Sequence, residues 1–225
     1  GLGTGALVND DGDVRNNTAV GYQAGNTLTT GNLNNLFGYQ AGFDITSGFE
    51  NIAVGYRSSY NVSTGYQNTG VGHETFYDLT TGNKNVAIGS DSSKSLTTGT
   101  DNVAMGFESL LSLRTGTYNI AIGSDSGRAI TTQSENVFLG TAAGRGKIGT
   151  GNTLLGHRAG NTGATGNYNV YVGNLTGVNA TGNNNTMLGY FAGYSQLSGT
   201  NNIIIGADAA GSTTTISDEI TLGNT

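Results

Sequence analysis

Apolar residues recur along the chain in a five-residue phrase whose clearest copy is Asn85-Val86-Ala87-Ile88-Gly89. Thirteen copies close on a glycine, from Gly21 to Gly223; ten of the twelve steps between them are 17 residues and two are 16. A period held that tightly is the signature of one structural unit stacked many times. The position before each glycine is always apolar, as at Val20, Val54, Val71, Ile88, Met105, Ile122, Leu139 and Ile205. The position three before it is mostly β-branched, as at Thr18, Ile52, Val86, Ile120 and Ile203. Side chains alternate along a strand, so these two columns share a face, and their apolarity predicts that this face is the core.

The position between them should then point outward. It reads Ala19, Ala53, Ala87, Ala104 and Ala121, then Phe138 and Tyr171. A continuous apolar stripe on an outer face predicts contact with another copy of the chain. A second apolar column, Leu28, Ile45, Val62, Leu79, Leu96, Leu113 and Ile130, repeats every 17 residues and predicts a second strand per coil. It is expected to fail at Gly163 and Asn179, near the two 16-residue steps, where a bend or junction is expected.

The predicted fold is therefore all-β: a parallel β-solenoid, or β-roll, of about thirteen 17-residue coils with two strands per coil. Residues 1–16 read as an irregular start or partial coil, and 17–225 as the repeat domain. Thirteen layers would make a rod of about 60 Å. A core that thin predicts oligomerisation as the way to bury more surface.

The phrases 85–90 and 119–124, Asn-Val-Ala-Ile-Gly-Ser and Asn-Ile-Ala-Ile-Gly-Ser, resemble the head repeat of YadA-like trimeric adhesins. That resemblance implies a left-handed parallel β-roll, a homotrimer and a role in surface attachment; the 17-residue period is longer than that family's. The longer run Asn17-Thr18-Ala19-Val20-Gly21-Tyr22-Gln23-Ala24-Gly25, followed by Thr29-Thr30-Gly31, is similar to repeats in phage tail fibres. The ending Ile216–Thr225 is similar to the last coil before the C-terminal region of such fibres, which often carries a self-cleaving chaperone.

Asparagine stands four before the closing glycine in every coil but the last, including Asn17, Asn51, Asn85, Asn102, Asn119, Asn136, Asn169 and Asn202. Strict recurrence favours a structural amide ladder over a glycan site, because binding sites are local. The column after the glycine varies more. Tyr22, Tyr39, Tyr56, His73 and Tyr190 make it the candidate surface for a sugar or protein ligand, since tyrosine offers rigid area with a polar tip.

No catalytic set survives the repeat. A nucleophile needs a base within hydrogen-bond reach, and the two histidines, His73 and His157, lie five coils apart. Gly144-Arg145-Gly146-Lys147 lacks the hydroxyl and leading glycine of a phosphate loop. Asn9-Asp10-Asp11-Gly12-Asp13 lacks the distal glutamate of an EF-hand and reads as a solvated turn, so no metal or other cofactor is expected. The chain has 39 glycines and no proline or cysteine, which rules out disulfides and thiolate metal sites. A net charge of -6 disfavours nucleic acid, and no apolar run is long enough to span a bilayer. The chain opens on Gly1 rather than methionine, so a processed or partial chain is expected.

The functional expectation is a non-enzymatic structural fibre. It is the homotrimeric shaft of a phage tail fibre or similar virion appendage, supporting attachment to a host-cell receptor or glycan. The alternative is the head of a bacterial trimeric adhesin at the cell surface, binding host matrix or glycans. An ice-binding solenoid is a distant third, because the threonine ladder of Thr29, Thr46, Ser63, Thr80 and Thr97 breaks at Arg114.

Overall fold

A computed structural model describes residues 2–9, 15–194 and 198–223. The acidic run Asp10–Asp13 lies outside the described residues. Two compact units span 1–117 and 118–225. The first carries β1 (Thr18–Val20), β2 (Asn35–Phe37), β3 (Ile52–Val54), β4 (Thr69–Val71), β5 (Val86–Ile88) and β6 (Val103–Met105). The second carries β7 (Ile120–Ile122), β8 (Val137–Leu139), β9 (Thr153–Leu155), β10 (Val170–Val172), β11 (Thr186–Leu188), β12 (Ile203–Ile205) and β13 (Ile220–Leu222). Within each unit successive strands pair in parallel and in register, so that Ala87 lies on Ala104 in one and Ala121 on Phe138 in the other. The fold is a parallel β-solenoid with coils of about 17 residues, as the periodicity requires.

Each coil has one strand rather than two. The segment holding Leu28 and its equivalents is buried as expected, yet it forms no ladder. Its backbone donors converge instead of alternating: the N–H groups of Thr29, Thr30 and Gly31 all donate to the single carbonyl of Thr46. The same three-to-one pattern repeats from Thr46, Ser47 and Gly48 to Ser63. A ladder needs donors and acceptors in alternation, so this side of the coil is a stack of turns.

The phase of the strand is the reverse of the sequence expectation. Ala19, Ala53, Ala87, Ala104, Ala121, Phe138 and Tyr171 are all 0–1% exposed and form the core. The columns on either side face out. Val20, Val54, Val71 and Leu139 are half-buried, and Ile88, Met105, Ile122 and Ile205 are 36–41% exposed. The asparagine four before the glycine is buried too, so positions four and two before the glycine share the inner face, as alternation demands. The candidate interface column is therefore interior, and the candidate core column is surface.

The interior column can be alanine because other columns fill the space. Leu28, Ile45, Leu79, Leu96 and Leu113 enter from the opposite wall. In some coils side-chain volume is exchanged between the mid-strand position and the position four after the glycine, although Ala19 with Gly25 and Ala121 with Gly127 are small at both. Small mid-strand residues Gly70 and Ala104 accompany Phe76 and Leu110, both fully buried. Large ones, Phe138, Leu154, Tyr171 and Met187, each face a glycine: Gly144, Gly160, Gly177 and Gly193. A Cβ built on Gly144 would stand 2.5 Å from the Phe138 ring, so only glycine fits there. In the second unit the column of the opposite wall continues rather than failing. It moves one place later, relative to the closing glycine, at Ile148 and Ala164 and is back in its usual place at Ala180; all three are buried, as are Leu154 and Tyr171.

The closing glycine turns the corner. Gly89 has φ +125°, and an added Cβ would lie 2.6 Å from the carbonyl oxygen of Gly106 in the next coil. Neighbouring coils approach too closely there for any side chain.

Candidate binding surfaces

The asparagine column forms the ladder that recurrence suggested. In a typical rung the Asn85 amide donates to Asn68 Oδ1 at 3.1 Å and to the Gly99 carbonyl at 2.9 Å. Asn85 Oδ1 accepts in turn from the backbone N–H of Asn102 at 3.0 Å and from its amide at 3.1 Å. Equivalent bonds join Asn17, Asn34 and Asn51 in the first unit, and Asn119, Asn136, Asn152 and Asn169 in the second. The Asn202 amide bonds to Asn185 Oδ1 at 3.0 Å. With both amide groups saturated inside the chain, these asparagines have nothing left to offer a ligand.

The outward columns next to this ladder carry most of the exposed apolar surface. Phe37, Ile52, Ile88 and Met105 project from the first unit, and Ile120, Ile122, Leu155, Val170, Leu188, Ile203 and Ile205 from the second. On a strand facing water these positions are normally polar; here the position before the glycine is apolar throughout, and polar residues are confined to Thr18, Asn35, Thr69, Thr153 and Thr186. Each unit therefore presents a stripe of β-branched and aliphatic side chains on one sheet face.

The column after the glycine brings four of its five candidates together. Tyr22, Tyr39, Tyr56 and His73 stack ring on ring with centroids 5.1–5.3 Å apart and planes 10–18° from parallel. Tyr190 belongs to a different arrangement, edge-on to Phe191 at 4.3 Å. Beside the tyrosines, Gln40 donates to Gln23 at 2.8 Å and Arg57 donates to Gln40 at 3.0 Å, with the Arg57 guanidinium over the Tyr56 ring at 5.2 Å. Two further aromatic columns escaped the sequence reading although their spacing is also 17. Phe43, Tyr60 and Tyr77 stack at 5.0 and 5.1 Å, and Phe49 stacks on Tyr66 at 4.7 Å.

One cluster resembles a metal site. Ligand atoms of His73, Glu74 and Asp91 lie within 4.8 Å of one another. The Lys94 ammonium already sits between the two carboxylates, 2.6 Å from Glu74 and 2.9 Å from Asp91. Hydrogen bonds to Glu74 and Asp91 hold the lysine pKa above its ordinary value. Burial pulls the Asp91 carboxyl up, but hydrogen bonds from Lys94 and Ser90 outweigh it and leave the group below the usual carboxylate value. The cation this site needs is thus supplied by the chain. Ser90 also donates to Asp91, at 2.8 Å.

Among the described residues, buried Tyr171 is the one large interior side chain with a polar tip, and its hydroxyl lacks a hydrogen-bond partner of good geometry beside Asn185. Burial raises its pKa well above the ordinary phenol value, so it stays neutral. No helix among the described residues is long and apolar enough to cross a membrane. No family model, no curated protein and no solved structure matches the chain.

Proposed function

We propose that the chain is a non-enzymatic structural fibre, a shaft segment of a phage tail fibre or similar virion appendage that assembles as a homotrimer and supports host attachment. The observation that carries the assembly is the outward apolar stripe, in which isoleucine, leucine, methionine and valine occupy the sheet face that water would otherwise meet. Within each unit a parallel solenoid gives such a stripe a repeating form, so three copies can bury it against one another. The saturated asparagine ladder supports a mechanical role, since within each unit coils are tied to their neighbours by side-chain as well as backbone hydrogen bonds. The phage setting rests on the likeness of the repeat to tail-fibre sequences.

The assembly is tested by sedimentation equilibrium on the 22.9 kDa chain and on a double variant, Ile88→Lys with Ile122→Lys, one lysine on each unit. The expected masses are three chains for the native sequence and one for the variant, with unchanged circular dichroism. A native monomer, or a trimer that tolerates both lysines, would overturn the proposal. The adhesin reading keeps one supporting observation, the exposed Tyr22, Tyr39, Tyr56 and His73 stack, which offers a flat aromatic edge to a host ligand.

A further inference from the structure

The first unit contains a groove that none of the columns considered so far explains. It is a shallow groove of about 660 Å³, broadly open to solvent, on the turn side of the coils, lined from Thr27 to Arg114. One wall is the column Asp44, Asn61 and Asp78; the other is Thr46, Ser63 and Thr80. Arg114 closes the far end.

The two walls share one chemical character. The hydroxyls of Thr46, Ser63 and Thr80 each donate to a carbonyl of the next coil at 3.1–3.2 Å. Their protons are committed, and the lone pairs left over are acceptors. The side chains of Asp44, Asn61 and Asp78 make no hydrogen bond with another described residue, although all three are half-buried. Partial burial raises the Asp44 pKa above its ordinary value. The backbone groups of this segment are spent on coil-to-coil bonds such as Asp44 N–H to Tyr60 O at 2.9 Å and Asp78 N–H to Lys94 O at 2.9 Å. An extended peptide therefore finds no free strand edge to pair with.

What fits is a ligand rich in donors, elongated, and free of negative charge. A single divalent ion does not meet the description: Asp44 and Asp78 stand two layers apart, roughly 9–10 Å, and the residue between them is an amide. An anionic chain would meet two carboxylates before reaching Arg114. A sugar chain presents hydroxyl donors along its length, at intervals that successive coils can follow. The aromatic column Phe43, Tyr60 and Tyr77 immediately precedes the acceptor column, residue for residue, and places stacked rings beside it in the chain.

We propose that this groove binds a neutral or amine-bearing oligosaccharide, with Asp44, Asn61 and Asp78 accepting hydrogen bonds from its hydroxyls. The site is separate from the tyrosine stack after the closing glycine, and from the apolar stripe, so it stands whether or not the chain trimerises.

The test is a glycan array probed with the full chain, carrying neutral, amine-bearing, sialylated and sulfated oligosaccharides. Binding to neutral or amine-bearing probes of several rings is expected, with little signal from sialylated or sulfated ones. A triple variant, Asp44→Ala, Asn61→Ala and Asp78→Ala, should lose at least about tenfold of that signal, in line with two or more lost hydrogen bonds. All three positions are at the surface, and retained circular dichroism confirms that the variant is folded. Tyr39→Ala serves as the comparison and should bind normally. Loss of binding in Tyr39→Ala with retention in the triple variant would move the site to the tyrosine stack and overturn the proposal. So would an absence of binding to any neutral or aminated probe. Capture of amine-bearing probes alone, abolished by moderate salt, would show charge attraction rather than sugar recognition and would also overturn it.

Discussion

Asn85→Asp is expected to destabilise the first unit by about 3–5 kcal/mol at neutral pH, the range for stranding a charge in an interior. The substitution keeps the shape and exchanges one donor for an acceptor. Asn85 is fully buried, and its amide points at two oxygens, Asn68 Oδ1 and the Gly99 carbonyl. A carboxylate oxygen placed there would face both with no proton to share. The folded-state pKa of the new group is therefore raised above the unfolded value of about 3.9. The sign of the pH effect follows. Below the unfolded pKa both states are protonated, and the penalty is smallest. As pH rises, the unfolded chain ionises first, and the variant loses stability until the folded pKa is passed. Chemical denaturation at pH 4 and pH 7 should show the gap from the native protein widening at the higher pH. Asn85→Ala should cost about 2–4 kcal/mol with no such pH dependence, because it leaves the Gly99 carbonyl and the Asn102 donors unpaired without adding charge. Equal, small effects from both variants would mean that the ladder contributes little.

The second large effect concerns the volume exchange between Phe138 and Gly144. Phe138→Ala should cost about 3–5 kcal/mol by opening a cavity in the second unit. Gly144→Leu should cost a similar amount, because the new side chain starts 2.5 Å from the Phe138 ring. The pair together should be less destabilising than either alone. The double variant recreates the combination of Ala104 with Leu110, where leucine occupies the same turn position at φ +49°. Backbone strain at that position is about 1 kcal/mol for a residue with a Cβ, so rescue should be incomplete. A double-mutant cycle with simple additivity would refute the exchange.

This exchange was present in the sequence and was hidden by reading each column separately. Phe138, Leu154, Tyr171 and Met187 are each followed six residues later by glycine, while Gly70 and Ala104 are followed by Phe76 and Leu110. The period, the parallel solenoid class, the corner glycines and the asparagine recurrence were all legible, because each depends on one residue type in one position. The strand phase was not read correctly, and the reason is physical. Hydrophobicity points to Val86 and Ile88 as core, since both outrank Ala87. Hydrophobicity measures the wish to leave water, and a surface between chains satisfies it as well as an interior does. Steric room was the better guide. Leu79 and Leu96 of the opposite wall share the coil interior with Ala87, so a small residue in that column is no sign of an outer face. The ladder also held the answer: if Asn85 is buried, alternation buries Ala87 and exposes Val86 and Ile88.

Other features had no sequence signal at the level of single columns. Convergence of three backbone donors on the Thr46 carbonyl, which removes the second strand, is a matter of turn geometry. The groove between the Asp44 and Thr46 columns exists because Ile45, between them, is drawn into the core. Its walls are polar residues of the kind that fill any solvated turn, and only their lack of partners distinguishes them.

The account turns on which face of the strand is inside. The chain contains no cysteine, so a single introduced thiol reports on one position without interference. Ala87→Cys and Ile88→Cys differ by one residue and should differ completely in their reaction with a water-soluble thiol reagent. Labelling is compared in the assembled protein and after the chains are separated by Met105→Lys with Ile122→Lys, outward positions that leave 87 and 88 free for cysteine. Cysteine at 87 should be protected in both, and cysteine at 88 should be protected in the assembly and labelled rapidly once the chains are apart. Rapid labelling at 87 with protection at 88 in the separated chain would contradict the structure and restore the opposite phase.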